Sequence, residues 1–530
     1  MIRSLLLGGV ALLLGLFVVL PLGLLGREVG GFEAALAEGP AAWNTLLFTG
    51  GAVLLALGLG VPLGLGLARG RLPAGLEAAI VLPYAIPPYV TTLAWIALGN
   101  PTTGLLRPLL PLNIYSLSGM IWVMGLHLSP FVILGVRDAV ARLDPSLAEA
   151  AQVAGASPGR VLRDVTLPLL SPAVLAAAGF VSSAAAASFG VPYLLSSAAA
   201  EPVPVLTTRI YQALELAPDA GRPLAVTLSL GLLTVGVGLP ALLRLTQGGR
   251  SFTSARTNRQ GAAPASPLLT GAVLLYLFLA VGLPVATILW TSLAADLGGG
   301  LSLDNLTLSH WQTVSGQETT QEALLRSLGL AAAAATATVA VGTLLAHTVE
   351  RAPSRFAQGL AALARAPYAV PGTVLALGLL LSTSQELRLI VAERLTITVS
   401  LADTLWLLLL AYSVKLLALP LDSARAALQG LHPSLEEGAR IAGASWLGAL
   451  RDVTLPLLAP SLRTAWVLVF LPAFCEVTLS VLLRGPRTEV LGTRLFSLQS
   501  YGAPQQAAVL ALLVTLVVAG GLLLTRPRQL

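Results

Sequence analysis

Ionisable side chains are scarce in the long apolar stretches of this sequence, so those that occur there are the first candidates for contact with a solute. His127 and Lys415 lie 288 residues apart, the spacing of a larger repeat described below. Two equivalent basic groups could attract an anionic or chelated solute. Alternatively, His127 bonds a backbone group, while Lys415 forms an ion pair or extends to the aqueous interface. Glu476 could contact a solute or form a structural ion pair, and the remaining candidates are Asp403 and Arg463.

Several other chemistries are excluded by residue counts. The one cysteine, Cys475, excludes an internal disulfide and a cysteine-ligated metal centre, and the four histidines lack metal-ligand spacing. The only lysine, Lys415, lies in YSVKLL, which lacks the glycines and the hydroxyl residue of a nucleotide-binding P-loop. We therefore expect no bound cofactor or metal, and no ATPase site within the chain.

The composition identifies the class of protein. Hydrophobic residues make up 55% of the chain, charged residues 11%, and the mean hydropathy is +0.83. A soluble protein of 530 residues would have too little polar surface with these proportions. We predict an all-α polytopic membrane protein, without nucleic-acid binding.

One polar segment occurs twice. Residues 143–172 (the first repeated segment) and 431–460 (the second repeated segment) are identical at 20 of 30 positions. Such similarity at a constant spacing indicates a duplicated unit. Because each copy is flanked by apolar stretches, both must lie in water at a membrane face. A charged, water-exposed segment that is present in both halves favours a docking surface.

Apolar stretches of about 20 residues, the length that crosses a bilayer, predict two parallel six-helix repeats. The twelve predicted spans are 4–25, 45–68, 77–98, 117–136, 169–190, 223–245, 267–292, 323–346, 359–382, 399–420, 457–482 and 504–525. The predicted domains are a first half at 1–245, a Gly-, Ser- and Arg-rich cytoplasmic linker at 246–266, and a second half at 267–530. An even number of spans per half gives both halves the same orientation.

Arginine sets the orientation of these spans. In the twelve-span arrangement the arginines of both repeated segments, the linker and both termini share one side, which the positive-inside rule makes the cytoplasm. A cleaved signal peptide is the alternative interpretation of residues 1–37. The apolar run is too long, and ends too far from Ala35 and Ala37, so we favour an uncleaved first helix with both termini cytoplasmic.

The repeated segment resembles the EAA loop of binding-protein-dependent ABC importer permeases. In that family the loop folds as two short helices around a glycine and inserts into a cleft of the ATPase subunit. Gly438 replaces the usual second alanine, which should loosen that helix slightly. The matching residues are Glu149, Ala150, Ala151 and Gly155, and Glu437, Gly438, Ala439 and Gly443.

The residues themselves agree with this resemblance. Ala150 and Ala151 leave a helix face that another surface can approach closely, and Gly155 permits a turn without a Cβ clash. The alternative is an amphipathic helix that lies at the membrane interface. The presence of the segment in two copies favours docking over this alternative.

A second repeated element, LPYAIPPYV at 82–90 and APYAVPGTV at 366–374, places Pro87 and Pro371 inside the third and ninth spans. Proline removes a backbone hydrogen bond and leaves a carbonyl that lipid cannot satisfy. Such breaks either line a pathway or are simply tolerated in membrane helices.

Both halves lie in one chain, which contains FGVPYLL at 189–195 and EVTLSVLL in the second half. This fused arrangement resembles the ferric-iron permease group, which includes thiamine and aminophosphonate permeases. The resemblance implies a non-enzymatic inner-membrane subunit that works with two copies of an ATP-binding ATPase and a periplasmic or lipid-anchored binding protein. Iron(III) is the expected cargo. Two rivals remain: a gradient-driven secondary transporter, which the duplicated loop disfavours, and a membrane anchor or export component without uptake activity.

Overall fold

The computed structural model describes residues 2–109, 112–197, 201–216, 220–246, 263–383, 387–392 and 395–524. In the first half of the sequence its helices are α1 Ile2–Leu14, α2 Leu20–Leu25, α3 Phe32–Ala37, α4 Gly39–Arg69, α5 Ala74–Ala79, α6 Leu82–Ala85, α7 Pro88–Gly99, α8 Leu117–Val140, α9 Pro145–Val153, α10 Pro158–Val161, α11 Leu167–Ala186, α12 Gly190–Ser197, α13 Leu206–Leu216, α14 Arg222–Leu233 and α15 Leu239–Thr246.

In the second half the helices are α16 Pro267–Leu277, α17 Leu283–Leu293, α18 Ser309–Gly316, α19 Glu318–Arg351, α20 Arg355–Ala369, α21 Gly372–Thr383, α22 Leu405–Leu416, α23 Ala418–Gln429, α24 Ser434–Ile441, α25 Trp446–Ala449, α26 Leu455–Phe474, α27 Thr478–Leu483, α28 Leu491–Ser500 and α29 Pro504–Leu524. Short 3₁₀ turns lie at Leu297–Gly299 and Leu303–Asn305.

Among the described residues, each π-helical segment precedes a Leu-Pro pair. Proline lacks an amide hydrogen and its ring crowds the carbonyl four residues earlier, so an i→i−4 ladder cannot continue through it. A π turn lets neighbouring amides reach one residue further back, as the Leu20 amide does to the Gly15 carbonyl. The five segments are Gly15–Val19, Leu162–Thr166, Thr234–Gly238, Phe278–Gly282 and Leu450–Thr454.

The predicted all-α membrane fold is confirmed. Within the described residues nine helices are long and apolar enough to cross a membrane, and three bent helix pairs could raise that number to twelve. The count of twelve spans stays a prediction. The bent pairs are α5–α6 with α7 (88°), α20 with α21 (113°) and α22 with α23 (43°).

The repeated proline element coincides with the first two of these breaks. Pro87 directly precedes α7, with Ile86 in an extended conformation, and Pro371 separates α20 from α21 in the same way. The structure therefore breaks both helices where the sequence placed prolines inside apolar spans.

Two short strand pairs were not predicted. β1 Gly70–Arg71 pairs in parallel with β2 Ala263–Pro264, and β3 Leu387–Ala392 forms an antiparallel hairpin with β4 Leu395–Val399. The predicted tenth span began too early. Its helix begins at Leu405, because the Thr404 hydroxyl caps the Leu407 amide at 3.3 Å and Asp403 has a positive φ of 56°.

The chain forms two compact units. The first unit contains Phe32–Gln212 and Leu228–Leu308. In it α4 packs along α8, where an added Cβ at Gly60 or Gly64 would lie within 2.8 Å of side chains of α8. This spacing of small residues lets two membrane helices approach closely.

The second unit contains Met1–Gly31, Ala213–Thr227 and Ser309–Leu530. Here α19 packs on α23 and α26, while α2 packs on α21. An added Cβ at Gly378 of α21 would lie 3.1 Å from the Pro21 carbonyl oxygen. The first helix of the sequence thus belongs to the unit that holds most of the second half. The division of the sequence at 1–245 and 267–530 stays a prediction, and linker residues 247–262 lie outside the described residues.

Candidate docking and pathway sites

Each repeated segment folds as a short helix, a left-handed glycine and a second short helix. In the first, α9 is followed by Gly155 with φ +85° and then α10; in the second, α24 is followed by Gly443 with φ +93° and then α25. Only glycine adopts this conformation readily, because a Cβ would crowd the backbone. This is the loop fold that the resemblance implied.

The start of each segment is fixed by a local side-chain cap. The Asp144 carboxylate accepts a hydrogen bond from the Ser146 amide at 3.0 Å. Hydrogen bonds from Ser146 hold the Asp144 pKa below its ordinary value. In the second segment His432 occupies the equivalent position, and its Nδ1 accepts from the Ser434 amide at 3.3 Å.

Both segments expose aliphatic side chains at matching positions. Val153 is 90% exposed and Ile441, 288 residues later, is 88% exposed. Leu147 and Leu435 form a second matching pair, each 47% exposed. Because the same two exposed positions recur in both copies of the repeat, they favour a shared surface that a partner covers.

The predicted motif residues lie on this same surface. Glu149 and Glu437 are exposed, as are the alanine and glycine that follow them, while Ala151 and Ala439 are half-buried. Gly155 and Gly443 are exposed as well. Each segment therefore presents its acidic residue, its small residues and its aliphatic side chain to solvent.

His127 binds the backbone carbonyl that a proline break releases. Its Nδ1 lies 2.9 Å from the Pro83 carbonyl oxygen and donates to it. In an uninterrupted helix the amide of residue 87 would bond this carbonyl, and Pro87 has no amide hydrogen. His127 therefore has the backbone bond that was one of its two alternatives.

Lys415 and Glu476 come together in the second unit. Lys415 Nζ lies 3.7 Å from Glu476 Oε2, with the two side chains 21% and 16% exposed. Gly372 at the start of α21 makes room for the lysine, since an added Cβ there would lie 2.8 Å from Nζ. His127 and Lys415, equivalent in sequence, thus have different partners.

Two further polar residues, which the sequence analysis did not predict, lie next to Glu476. The Tyr412 hydroxyl lies 2.6 Å from Ser480 Oγ, which donates to the Glu476 carbonyl at 2.6 Å, and Glu476 Oε1 accepts from the Leu479 amide at 3.0 Å. Tyr412 precedes Lys415 by three residues, so the i, i+3 helical spacing is the signal that could have found it. Of the other predicted candidates, Asp403 lies before α22 and Arg463 is exposed on α26.

Comparison with known proteins agrees with these features. Residues 60–245 match the family described as binding-protein-dependent transport system inner membrane component. Over 410 residues the chain is 28% identical to "Probable ABC transporter permease protein y4fN" of Sinorhizobium fredii, covering 76% of this chain and 70% of that protein. The chain is thus similar to binding-protein-dependent ABC permeases, by the family match in its first half and by this relative over most of its length.

Other relatives of the chain have different named cargoes. The Fe(3+)-transport system permease protein FbpB 2 of Haemophilus influenzae is 24% identical over 450 residues, covering 83% of this chain and 80% of that protein. The spermidine/putrescine transport system permease protein PotC of the same species is 27% identical over 221 residues, covering 42% and 81%. A chain in the crystal structure of a bacterial alginate ABC transporter in complex with an alginate pentasaccharide-bound periplasmic protein aligns with a TM-score of 0.38 and 17% identity, covering 49% of this chain and 92% of that chain.

Proposed function

We propose that this permease is the membrane subunit of an ATP-driven importer and that each repeated segment docks one copy of a separate ATPase. The observation that carries the proposal is the matched pair of exposed aliphatic side chains, Val153 and Ile441. Inserting each into an apolar cleft would remove its surface from water, a gain of roughly 1.5–3 kcal/mol per side chain.

The motif residues have defined roles in this proposal. Glu149 and Glu437 pair with basic groups of the ATPase, while the small residues Ala150, Ala151, Gly438 and Ala439 permit close approach. Gly155 and Gly443 set the angle between the two short helices. ATP hydrolysis belongs to the partner, so the permease itself is not an enzyme and binds no cofactor.

The opposite face receives the cargo. We place the permease in the bacterial inner membrane with both termini cytoplasmic; residues 1 and 525–530 lie outside the described residues. A periplasmic or lipid-anchored binding protein would dock on 191–222 and 483–503, of which 198–200 and 217–219 also lie outside them. ATP-driven dimerisation of the ATPase then alternates access to a pathway along the broken helices at Pro87 and Pro371.

Iron(III) is the cargo we favour, supported by the ferric relative that aligns over most of both chains. Thiamine or an aminophosphonate is the alternative. The Lys415–Glu476 pair offers opposite charges that a zwitterionic aminophosphonate would complement. These two side chains are the pathway contacts that we propose.

Docking is tested by placing a carboxylate on the exposed aliphatic positions. In the double variant Val153→Asp and Ile441→Asp, we expect ATPase binding to fall at least tenfold in a pull-down with the neighbouring ATPase, because a charge would have to enter an apolar cleft. Leu303→Asp is the matched control, since Leu303 is 83% exposed outside both segments. Wild-type binding by the double variant would contradict docking.

Cargo and energy source are tested in proteoliposomes that contain the permease, its ATPase and its binding protein. We expect ATP-dependent uptake of labelled ferric iron that excess thiamine and 2-aminoethylphosphonate leave unchanged. Competition by either compound would show that this compound, and not iron, is the cargo. Uptake that follows an ion gradient without ATP would favour a secondary transporter, and ATPase binding without any uptake would favour a membrane anchor or export component.

A further inference from the structure

The last turn of α19 binds one carboxylate of the second repeated segment from two sides. His347 Nε2 lies 2.9 Å from Glu436 Oε2, and Arg351 Nε donates to Glu436 Oε1 at 3.2 Å. The side chains of His347, Arg351 and Glu436 are 2%, 14% and 16% exposed. Since each carboxylate oxygen has its own donor, the position and rotation of Glu436 relative to α19 are both fixed.

The same arginine also binds the end of the preceding helix. Arg351 Nη2 donates to the Leu431 carbonyl at 2.8 Å and to the Leu428 carbonyl at 3.3 Å. These carbonyls lie where α23 ends and the second repeated segment begins. A cation is favourable at a helix C-terminus, where carbonyls have no partner within the helix. One guanidinium therefore joins α19, the end of α23 and α24.

An aromatic contact closes this cluster. The His347 ring meets the Trp446 ring edge-on, with centroids 5.7 Å apart. Trp446 is the first residue of α25, so both short helices of the second segment contact the end of α19.

The first repeated segment lacks the residues that make this connection. Ala148 occupies the position of Glu436, and residues 60–69 at the end of α4 contain no histidine. No hydrogen bond or ion pair between α9 and α4 occurs among the described residues of these two helices. The two segments share their exposed surface but differ in how they join the unit beneath them.

We propose that Glu436 is a positioning residue that transmits movement of the second repeated segment to α19, giving the permease one rigidly coupled segment and one compliant segment. The proposal rests on the proposed docking function. Glu436 and Glu437 are adjacent in α24, yet Glu437 faces solvent and Glu436 faces the protein. Force that a partner exerts on the outer face of α24 therefore reaches α19 through the Glu436 carboxylate.

The charge needed for this contact is present at neutral pH. Burial acts to raise the Glu436 pKa, but hydrogen bonds from His347 and Arg351 outweigh it and hold the pKa below its ordinary value. A lowered pKa means that the contact is complete above the ordinary carboxylate pKa and is lost only as the pH falls through the lowered one.

The contact is tested first by hydrogen exchange on the permease alone. In Glu436→Ala we expect amide exchange in residues 434–441 and in the last turn of α19 to rise about tenfold, since a charge-assisted network is lost. Exchange in α9 should not change. Glu322→Gln is the matched control, because it removes an exposed ion pair with Arg326 at the other end of α19. Unchanged exchange in Glu436→Ala would overturn the proposal without involving any partner.

Transmission is tested in the complete transporter by dividing cargo uptake by ATP hydrolysed. We expect Glu436→Ala to bind the ATPase and hydrolyse ATP normally while uptake per ATP falls at least fivefold. His347→Ala should act in the same direction, and the double variant should lose no more than Glu436→Ala alone, since both remove one network. Normal uptake per ATP would overturn the proposal, and so would loss of ATPase binding, which would make Glu436 merely a support for folding. Failure of the wild type to import with ATP would instead remove the proposed function.

Discussion

At the scale of single residues, two glycines of the second repeated segment have opposite requirements although both face open space. Gly443 has φ +93°, whereas Gly438 lies inside α24, and an added Cβ would meet nothing within 4 Å at either position. Any difference between alanine substitutions at these positions must therefore come from backbone conformation alone.

We predict that Gly443→Ala destabilises the second repeated segment by about 1–2 kcal/mol, because an L-residue is strained in the left-handed region. Gly438→Ala should stabilise α24 by about 0.5–1 kcal/mol, since alanine is the better helix former. Hydrogen exchange across residues 434–449 measures both changes. Effects of the same sign would show that conformation does not distinguish the two positions.

The Lys415–Glu476 pair leads to a second prediction at this scale. Removing one partner leaves an unpaired charge in a largely apolar region, so Lys415→Met or Glu476→Gln alone should destabilise the protein by up to about 3 kcal/mol. The double variant should recover most of that loss. Thermal unfolding in detergent measures stability, and a double variant less stable than both single variants would contradict a simple ion pair.

At the scale of elements, two of the helix breaks lie at prolines, and at one of them a side chain from another helix binds the carbonyl that the proline leaves without a partner. The break before α7 exposes the Pro83 carbonyl, and His127 on α8 satisfies it. The break before α21 has no equivalent repair from Lys415, because the Pro367 carbonyl accepts from the Val370 amide at 3.2 Å instead.

We therefore predict that His127→Ala destabilises the first unit by about 1–3 kcal/mol, the cost of leaving a buried carbonyl without a partner. Adding Pro87→Ala should restore part of the loss, because an alanine amide at position 87 can bond the Pro83 carbonyl. Thermal unfolding of the single and double variants provides the comparison. If Pro87→Ala lowers the stability of His127→Ala further, binding of the Pro83 carbonyl is not how His127 stabilises the protein.

At the scale of the whole molecule, the compact units do not follow the two halves of the sequence. Residues 1–31 belong to the second unit together with 309–530. The contact between Pro21 and Gly378 is one place where this packing depends on the absence of a side chain.

We predict that Gly378→Ala destabilises the second unit, because its Cβ would press on the Pro21 backbone, and that hydrogen exchange rises in both α2 and α21. Gly329→Ala in α19 is the matched control, since a Cβ there meets nothing within 4 Å. Equal exchange in the two variants would contradict a close contact between the first helix and α21.

Orientation is also a property of the whole molecule. We predict that Val153→Cys and Leu303→Cys, in a chain with Cys475→Ser, react with a membrane-impermeant maleimide from opposite sides of the membrane. Both side chains are exposed, so accessibility should depend on the side alone. Labelling of both from the same side would contradict the orientation inferred from arginine.

The sequence by itself determined the membrane class, the repeated segments and the proline breaks, because hydropathy, duplication and the missing proline amide are local properties. Only the tertiary structure decided the partners of the candidate residues. His127 and Lys415 are equivalent in sequence, yet one binds Pro83 and the other Glu476. Likewise, the sequence does not distinguish Glu436 from the adjacent Glu437. In the structure only Glu436 contacts His347 and Arg351 of α19. Such pairings depend on helices 44 to 89 residues apart in sequence, and no local pattern records which helices will pack together.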